Sequence, residues 1–165
     1  MLAKVEAELD DAFPDKTAIP AWNIASKLPI LDACIKETFR IHPSTGFLLE
    51  RIDPADGAVI CGEYVPAGTV VSCLQWIIHR RKPTFGDDIE TFRPERWLDA
   101  APEQRANMEK FLVPFGYGSR LYLGRDIGLF DVYKIAATLL NRHRVSADVN
   151  CVEIRFRLTC GIGTF

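Results

Sequence analysis

The chain lacks the features that mark secreted, membrane-spanning or nucleic-acid-binding proteins. Its five cysteines include no Cys-x-x-Cys pair, and an odd number at scattered positions is not typical of a disulfide framework. Twenty basic and 22 acidic residues give a net charge of −2, which excludes a basic field for nucleic acid. No apolar run is long enough to span a bilayer, and the N-terminus lacks the apolar core of a signal peptide. We therefore expect an intracellular chain with reduced thiols and no membrane segment.

Histidine is also scarce. His42, His79 and His143 stand far apart and match no metal-binding spacing, so we expect each to be a surface or capping residue. No zinc signature and no hydrolase triad is apparent.

What is present is typical of a globular core, since 48% of the 165 residues are apolar and 25% are charged. Periodicity and proline positions predict a mixed α+β fold that is mainly helical. Connecting segments are expected over the proline-containing stretches 14–30 and 82–102. The expected helices cover residues 1–12, Pro29 to the residue before Pro43, 74–80, 103–110 and 123–142.

Two of these helices have apolar positions at helical spacing, which predicts their buried faces. In the helix after Pro29 these are Leu31, Cys34, Ile35, Thr38 and Phe39, and in the last helix Leu129, Val132, Tyr133, Ala136 and Leu140. Between about residues 46 and 73, short β-branched runs alternate with turn signals and predict a small antiparallel sheet of hairpins. Further strands are expected over 152–158.

Three motifs follow one another along the chain. Glu37 and Arg40 are three apart on a helix, where a carboxylate and a guanidinium can pair. Alone this spacing is a weak signal, because it is common on solvated faces, and the pair is expected to point away from the apolar face. The second motif is Phe92-Arg93-Pro94-Glu95-Arg96-Trp97, and the third is Phe115-Gly116-Tyr117-Gly118-Ser119-Arg120-Leu121-Tyr122-Leu123-Gly124.

In this order the motifs resemble those of the cytochrome P-450 family, whose haem loop reads Phe-Gly-x-Gly-x-Arg-x-Cys-x-Gly. Residues 28–36, 42–43, 66–69 and 79–80 also resemble fungal members, and the resemblance extends from residue 1 to about 143. The residues in register with the loop are Phe115, Gly116, Gly118, Arg120 and Gly124, whereas Tyr122 holds the position of the iron-ligating cysteine.

The resemblance implies the C-terminal part of the P-450 fold, as a single partial domain over residues 1–165. It would run from the end of helix J through helix K, the sheet, the meander and the haem loop to helix L, with an unmatched tail after residue 145. The helix that crosses the distal haem face and its acid–alcohol pair would be absent. The implied activity is haem-dependent monooxygenation of a small organic substrate, with O₂ and electrons from a flavoprotein reductase. Family members are often anchored in the endoplasmic-reticulum membrane.

The resemblance also assigns roles to individual residues. Glu37, Arg40 and Arg96 would form a buried ion network that braces the meander, which is tolerable only if every charge is paired. Gly116 and Gly118 would let the backbone approach the flat haem, while Arg120 and Arg51 would pair with its propionates. The dipole of the following helix would favour an anionic ligand. A dinucleotide-binding loop is set aside because Leu121 stands where that fingerprint needs glycine.

Tyr122 decides how the resemblance is interpreted. A cysteine thiolate pushes electron density onto iron and favours O–O cleavage, whereas a phenol titrates near pH ~10 and carries a harder oxygen. Tyrosine ligates haem in catalase, so ligation by Tyr122 is one interpretation. We favour a second, in which Tyr122 is an apolar packing residue in a loop without haem. The third is a sequencing or gene-model error, since Tyr and Cys codons differ by one base. No other cysteine is expected to take over as the iron ligand: Cys160 is expected to be a strand residue and Cys34 a thiol in the core.

We therefore expect a monooxygenase relative that is impaired or inactive as written. The alternative is a non-catalytic fragment or pseudoenzyme, at most a weak haem-binding module.

Overall fold

The computed structural model describes residues 1–45, 48, 50–53 and 56–143, and the chain divides into two compact units. The first unit comprises Met1–Ile35 and the chain from Leu123 onward, and the second comprises Lys36–Tyr122. The strands expected over 152–158, with Cys151 and Cys160, lie outside the described residues. None of the described helices combines the length and apolar character needed to cross a membrane.

The described residues are mainly helical with short antiparallel strands, which confirms the predicted fold class. The stretches 14–30 and 82–102, expected as connections without helices, each contain short helical turns, so that expectation was too simple. The helices are α1 Leu2–Ala12, α2 Trp22–Ala25, α3 Pro29–Ile41, α4 Gln75–Ile78, α5 Lys82–Phe85, α6 Glu95–Asp99, α7 Pro102–Phe111 and α8 Arg125–Arg142. The strands are β1 Arg51–Ile52, β2 Ala58–Ile60, β3 Glu63–Val65 and β4 Val70–Val71.

The first unit packs α1, α2 and α8 around a small apolar core. The Glu8 carboxylate accepts the backbone N–H groups of Ile30 and Leu31, both at 2.9 Å, and so caps the start of α3. The ring of Trp22 lies edge-on to Tyr133, with centroids 5.5 Å apart. The core residues of this unit are Val5, Leu9, Ala25, Leu31, Ala33, Ile35, Tyr133 and Ala137.

The buried face of α8 differs from the predicted one. Its deepest positions are Tyr133, Ala137 and Asn141, which are spaced four apart, and only Tyr133 belongs to the predicted set. The other predicted positions are half-buried. Hydropathy misplaced this face because Ala137 and Asn141 are a small and a polar residue, and Asn141 Oδ1 accepts a hydrogen bond from Lys16 Nζ at 2.7 Å.

The face of α3 also differs from the prediction. Leu31 and Ile35 are buried as expected, but Thr38 is exposed, and Cys34 and Phe39 are half-buried. The polar side chains of Glu37 and Arg40, expected to point away from the core side, are fully buried. Polar partners from residues 79–97 cover this side of the helix, which the apolar pattern could not show.

In the described part of the second unit the strands form two small antiparallel pairs and not one continuous sheet. Strand β1 pairs with β4, with Arg51 opposite Val71, and β2 pairs with β3. The β2–β3 turn places Cys61 and Gly62 at φ +53° and +89°, the left-handed conformations that a tight two-residue hairpin requires.

Candidate functional site

The second unit brings Glu37, Arg40 and Arg96 together in a buried ion network. Arg40 donates to both carboxylate oxygens of Glu37, from Nε to Oε2 at 3.0 Å and from Nη2 to Oε1 at 2.8 Å. Arg96 Nε donates to Oε1 at 3.0 Å across 59 residues of sequence. The side chains of Glu37 and Arg40 are 0% exposed and that of Arg96 is 2% exposed. One carboxylate therefore faces two guanidinium groups away from water.

Two further donors complete the surroundings of this carboxylate. The Trp97 indole Nε1 donates to Oε2 at 2.9 Å, and the backbone N–H of Arg93 donates to Oε1 at 3.0 Å. Burial raises the pKa of Glu37, but the hydrogen bonds from Arg40, Arg93 and Trp97 outweigh it and hold the pKa below its ordinary value. Glu37 is therefore an anion in the folded chain at neutral pH.

The remaining N–H groups of Arg40 and Arg96 donate hydrogen bonds to the backbone of the segment between α4 and α6. Arg40 donates to the carbonyl oxygens of His79, Ile89 and Thr91, at 3.3, 2.6 and 3.2 Å. Arg96 donates to the carbonyl oxygens of Phe85, Asp88 and Thr91 and to Asp88 Oδ1. A segment with little regular structure is thus held by charge-assisted hydrogen bonds to its backbone.

Asp88 extends the network to the surface. Arg93 Nε donates to Asp88 Oδ2 at 2.6 Å, and Arg96 Nη1 donates to Oδ1 at 3.1 Å. The bond from Arg93 lowers the pKa of Asp88 more than burial raises it, and Arg96 lowers it further. The network therefore has a second carboxylate, and its two acids each accept from Arg96.

The glycine-rich loop lies in the same unit, with Tyr122 near its end. The Tyr122 ring stacks on Phe115, with centroids 6.3 Å apart and planes 13° apart, and Phe115 packs edge-on against Phe39 at 5.4 Å. The Tyr122 N–H donates to the Phe115 carbonyl oxygen at 3.0 Å and closes the loop. The Tyr122 side chain is nevertheless exposed, with 60% of the residue accessible.

Between these residues the backbone turns through Gly116 and Gly118 at φ +82° and +68°. L-residues rarely adopt these angles, so the two glycines allow the turn. Residues Gly118–Arg120 form a 3₁₀ turn that was not predicted. Gly124 falls in the first unit, as the N-cap of α8, where its carbonyl oxygen accepts the Gly128 N–H at 2.8 Å.

Two cavities adjoin the loop, and each has one of the two proposed propionate-binding arginines in its wall. Arg120 lines a cavity of 360 Å³ together with Tyr122, and Arg51 lines one of 510 Å³. Gln75 and Gly116 line both. Gln75 is 3% exposed, and its Oε1 has no hydrogen-bond partner within the described part of the chain.

The family model named Cytochrome P450 matches residues 1–163 of the chain. The chain belongs to the cytochrome P450 family. It is 42% identical to a cytochrome P450 monooxygenase of Aspergillus terreus over 147 aligned residues. The aligned region covers 88% of this chain and 30% of that protein. A cytochrome P450 monooxygenase of Aspergillus flavus is 45% identical over 121 residues, or 73% of this chain and 24% of that protein. The cytochrome P450 monooxygenase pkfB of Emericella nidulans is 40% identical over 142 residues, or 86% and 28%.

The cytochrome P450 match also spans the tail after residue 145, to which the motifs assigned no resemblance. The chain covers less than a third of the length of these three relatives. Membership of the family is therefore shown, while the activity of a whole protein is not a property of this segment.

Haem is the cofactor of the cytochrome P450 family, and the site fits only part of it. Arg120 and Arg51 give each cavity a cationic group, which suits the carboxylates of a porphyrin, whereas the unpaired Gln75 Oε1 is an acceptor and does not. The ligand position does not fit, because Tyr122 presents a phenol stacked on Phe115 where the family presents a thiolate. Among the described residues there is also no cluster of three metal-binding side chains.

Several residues of the site were not identified from sequence. Trp97 lies inside the second motif, so its role in the network could have been suspected, whereas Asp88 and Gln75 had no motif to mark them. His79 was expected at the surface or as a cap; it is the C-cap residue of α4, but it is fully buried and does not lie at the surface. Its neighbours come from parts of the chain that are distant in sequence.

Proposed function

We propose that this chain is a segment of the cytochrome P450 fold that retains the haem-loop scaffold but does not support monooxygenation with tyrosine at position 122. Supporting this is one observation: Tyr122 stands at the ligand position, stacked on Phe115 and largely exposed. The segment would form one partial domain, from the end of helix J to helix L.

The reason lies in the ligand chemistry. Bound haem supplies the oxidising centre of the family, and its iron requires an electron-rich thiolate to favour O–O cleavage. A phenol oxygen is a harder ligand than a thiolate sulfur and donates less electron density to iron. The Tyr122 oxygen also lies further from the backbone than a cysteine sulfur would, so a loop shaped for cysteine would have to move back.

The other residues of the segment would have supporting roles. Phe115, Gly116, Gly118 and Gly124 would shape the loop, and Arg120 and Arg51 would hold the porphyrin carboxylates. Glu37, Arg40 and Arg96 would keep the meander in place. A small organic substrate, a flavoprotein reductase and a membrane location would belong to the whole protein.

The test is a haem titration of the purified chain, followed by the Soret band and the ferrous–CO spectrum, with the variant Tyr122→Cys beside it. The matched control is Tyr117→Cys, which places a cysteine at the exposed tyrosine of the same loop. We expect a thiolate-type CO spectrum with Tyr122→Cys, and with neither the wild-type chain nor Tyr117→Cys. Substrate oxidation by the wild-type chain with a reductase, above a haem-only control, would contradict the proposal.

A second candidate is a chain that binds no haem. The stack of the Tyr122 ring on Phe115 favours it, because this contact gives the ring a packing role that needs no iron. In that case neither the wild-type chain nor Tyr122→Cys gives a saturable Soret band, and the motifs record ancestry alone.

A further inference from the structure

His79 follows α4 as its C-cap residue and is 0% exposed. Its backbone N–H donates to the carbonyl oxygen of Gln75 at 2.9 Å. Its own carbonyl oxygen accepts from Arg40 Nη1 at 3.3 Å, so the residue is attached to the ion network through its backbone.

The imidazole makes a second attachment, on the other side of the residue. Nε2 accepts the backbone N–H of Val113 at 2.9 Å, two residues before Phe115. The Val113 carbonyl oxygen in turn accepts the N–H of Gly116 at 3.1 Å, where the glycine-rich loop takes its first left-handed turn. A continuous set of hydrogen bonds therefore runs from Arg40 through His79 to the start of the glycine-rich loop.

This arrangement requires a neutral imidazole. Because Nε2 accepts a hydrogen bond, the ring proton lies on Nδ1, which is buried near the backbone of Arg40 and Phe39. Burial lowers the pKa of His79 to about 4, and the positive charges of Arg40 and Arg80 lower it in the same direction. Hydrogen bonds with the backbone of Arg40 and Phe39 raise the pKa and offset this only in part.

We propose that His79 is a positioning residue for the glycine-rich loop. Its Nε2 holds the Val113 N–H in place, and this fixes the backbone that leads to Gly116 and Tyr122. The role goes beyond the proposed function and does not depend on haem. The proposal predicts that the acceptor atom Nε2, and not merely the bulk of the His79 side chain, holds the backbone at Val113 in place.

The test is amide hydrogen exchange by NMR on the full chain at pH 7, with His79→Phe and His79→Gln. Phenylalanine fills the space without an acceptor, whereas glutamine places a carboxamide near the position of Nε2. The reference is the Arg93 amide, which donates to Glu37 in the ion network. We expect His79→Phe to lower protection of the Val113 amide about tenfold relative to Arg93, and His79→Gln to restore most of it. An equal loss at both amides, or the same loss in both variants, would overturn the proposal.

Should His79→Phe fail to fold, the wild-type chain supplies the same test by pH. A protonated imidazole has no acceptor, so the protection factor of Val113 relative to Arg93 should fall as the pH is lowered from 7 towards 4. Arg40 and Arg80, the cations facing the ring, keep their charge over this range. The ratio should stay constant in His79→Gln. A constant ratio in the wild-type chain would refute the assignment.

Discussion

The ion network and the glycine-rich loop belong to the same compact unit, yet their key side chains are held very differently. The Glu37 carboxylate accepts five hydrogen bonds and has no contact with water. The Tyr122 side chain stacks on one ring and is mostly exposed. A change in the network leaves buried charges unpaired, whereas a change at the ligand position costs the fold little. The fold therefore constrains the side chains of the network far more strongly than the side chain at position 122.

Removing the charge of Glu37 should have the largest effect. Glu37→Gln leaves Arg40 buried without a counter-charge and leaves Arg96 with Asp88 alone, so the free energy of unfolding should fall by about 3–5 kcal/mol. Urea unfolding followed by circular dichroism measures this loss. The matched control is Glu109→Gln, which breaks the more exposed pair with Lys36 and should cost less than about 1 kcal/mol. An equal loss of unfolding free energy in the two variants would show that the buried network contributes no more than the more exposed Lys36–Glu109 pair.

Lowering the pH should have the second largest effect on the free energy of unfolding. Between pH 6.5 and 4 the unfolded chain binds a proton at His79 that the folded chain does not, because the folded pKa is about 4. The free energy of unfolding should therefore be greatest above pH 6.5 and fall by about 3 kcal/mol as the pH drops to 4. Glu37 and Asp88, whose pKa values are lowered, add their own losses only below about pH 4.5.

Urea unfolding between pH 7 and 4.5 isolates the histidine contribution. His79→Gln should flatten the pH dependence in this window, while His42→Gln, at an exposed position, should leave it unchanged. A wild-type slope that persists in His79→Gln would mean that another group titrates there.

Substitution of Tyr122 in the glycine-rich loop should have the smallest effect on the free energy of unfolding. Tyr122→Phe keeps the stack on Phe115 and removes only an exposed hydroxyl, so the free energy of unfolding should change by less than about 0.5 kcal/mol. The matched control is Tyr133→Phe, whose lost hydroxyl donates to Asp32 and should cost about 1.5–3 kcal/mol. Thermal unfolding of both variants measures the difference. A large loss at Tyr122 would reveal a role for its hydroxyl that the stack does not explain.

Much of the fold was accessible from local patterns. The helices α1, α3, α7 and α8 lie within two residues of their predicted ends, because proline positions and apolar spacing act locally. The short helices α2, α5 and α6 were missed, since one-turn helices carry too few residues for a periodic signal. The single predicted sheet proved to be two strand pairs, because pairing partners depend on contacts between segments and not on strand propensity.

By itself the sequence determined the resemblance to the family, the order of the three motifs and the presence of tyrosine at position 122, because residue identity and spacing are local properties. Only the tertiary structure decided which polar groups are buried. It added Trp97 to the network of Glu37, Arg40 and Arg96 and enclosed His79. A polar side chain can be buried only where donors and acceptors arrive to satisfy it, and here they come from segments 30 to 60 residues away. No pattern within one helix contains that information.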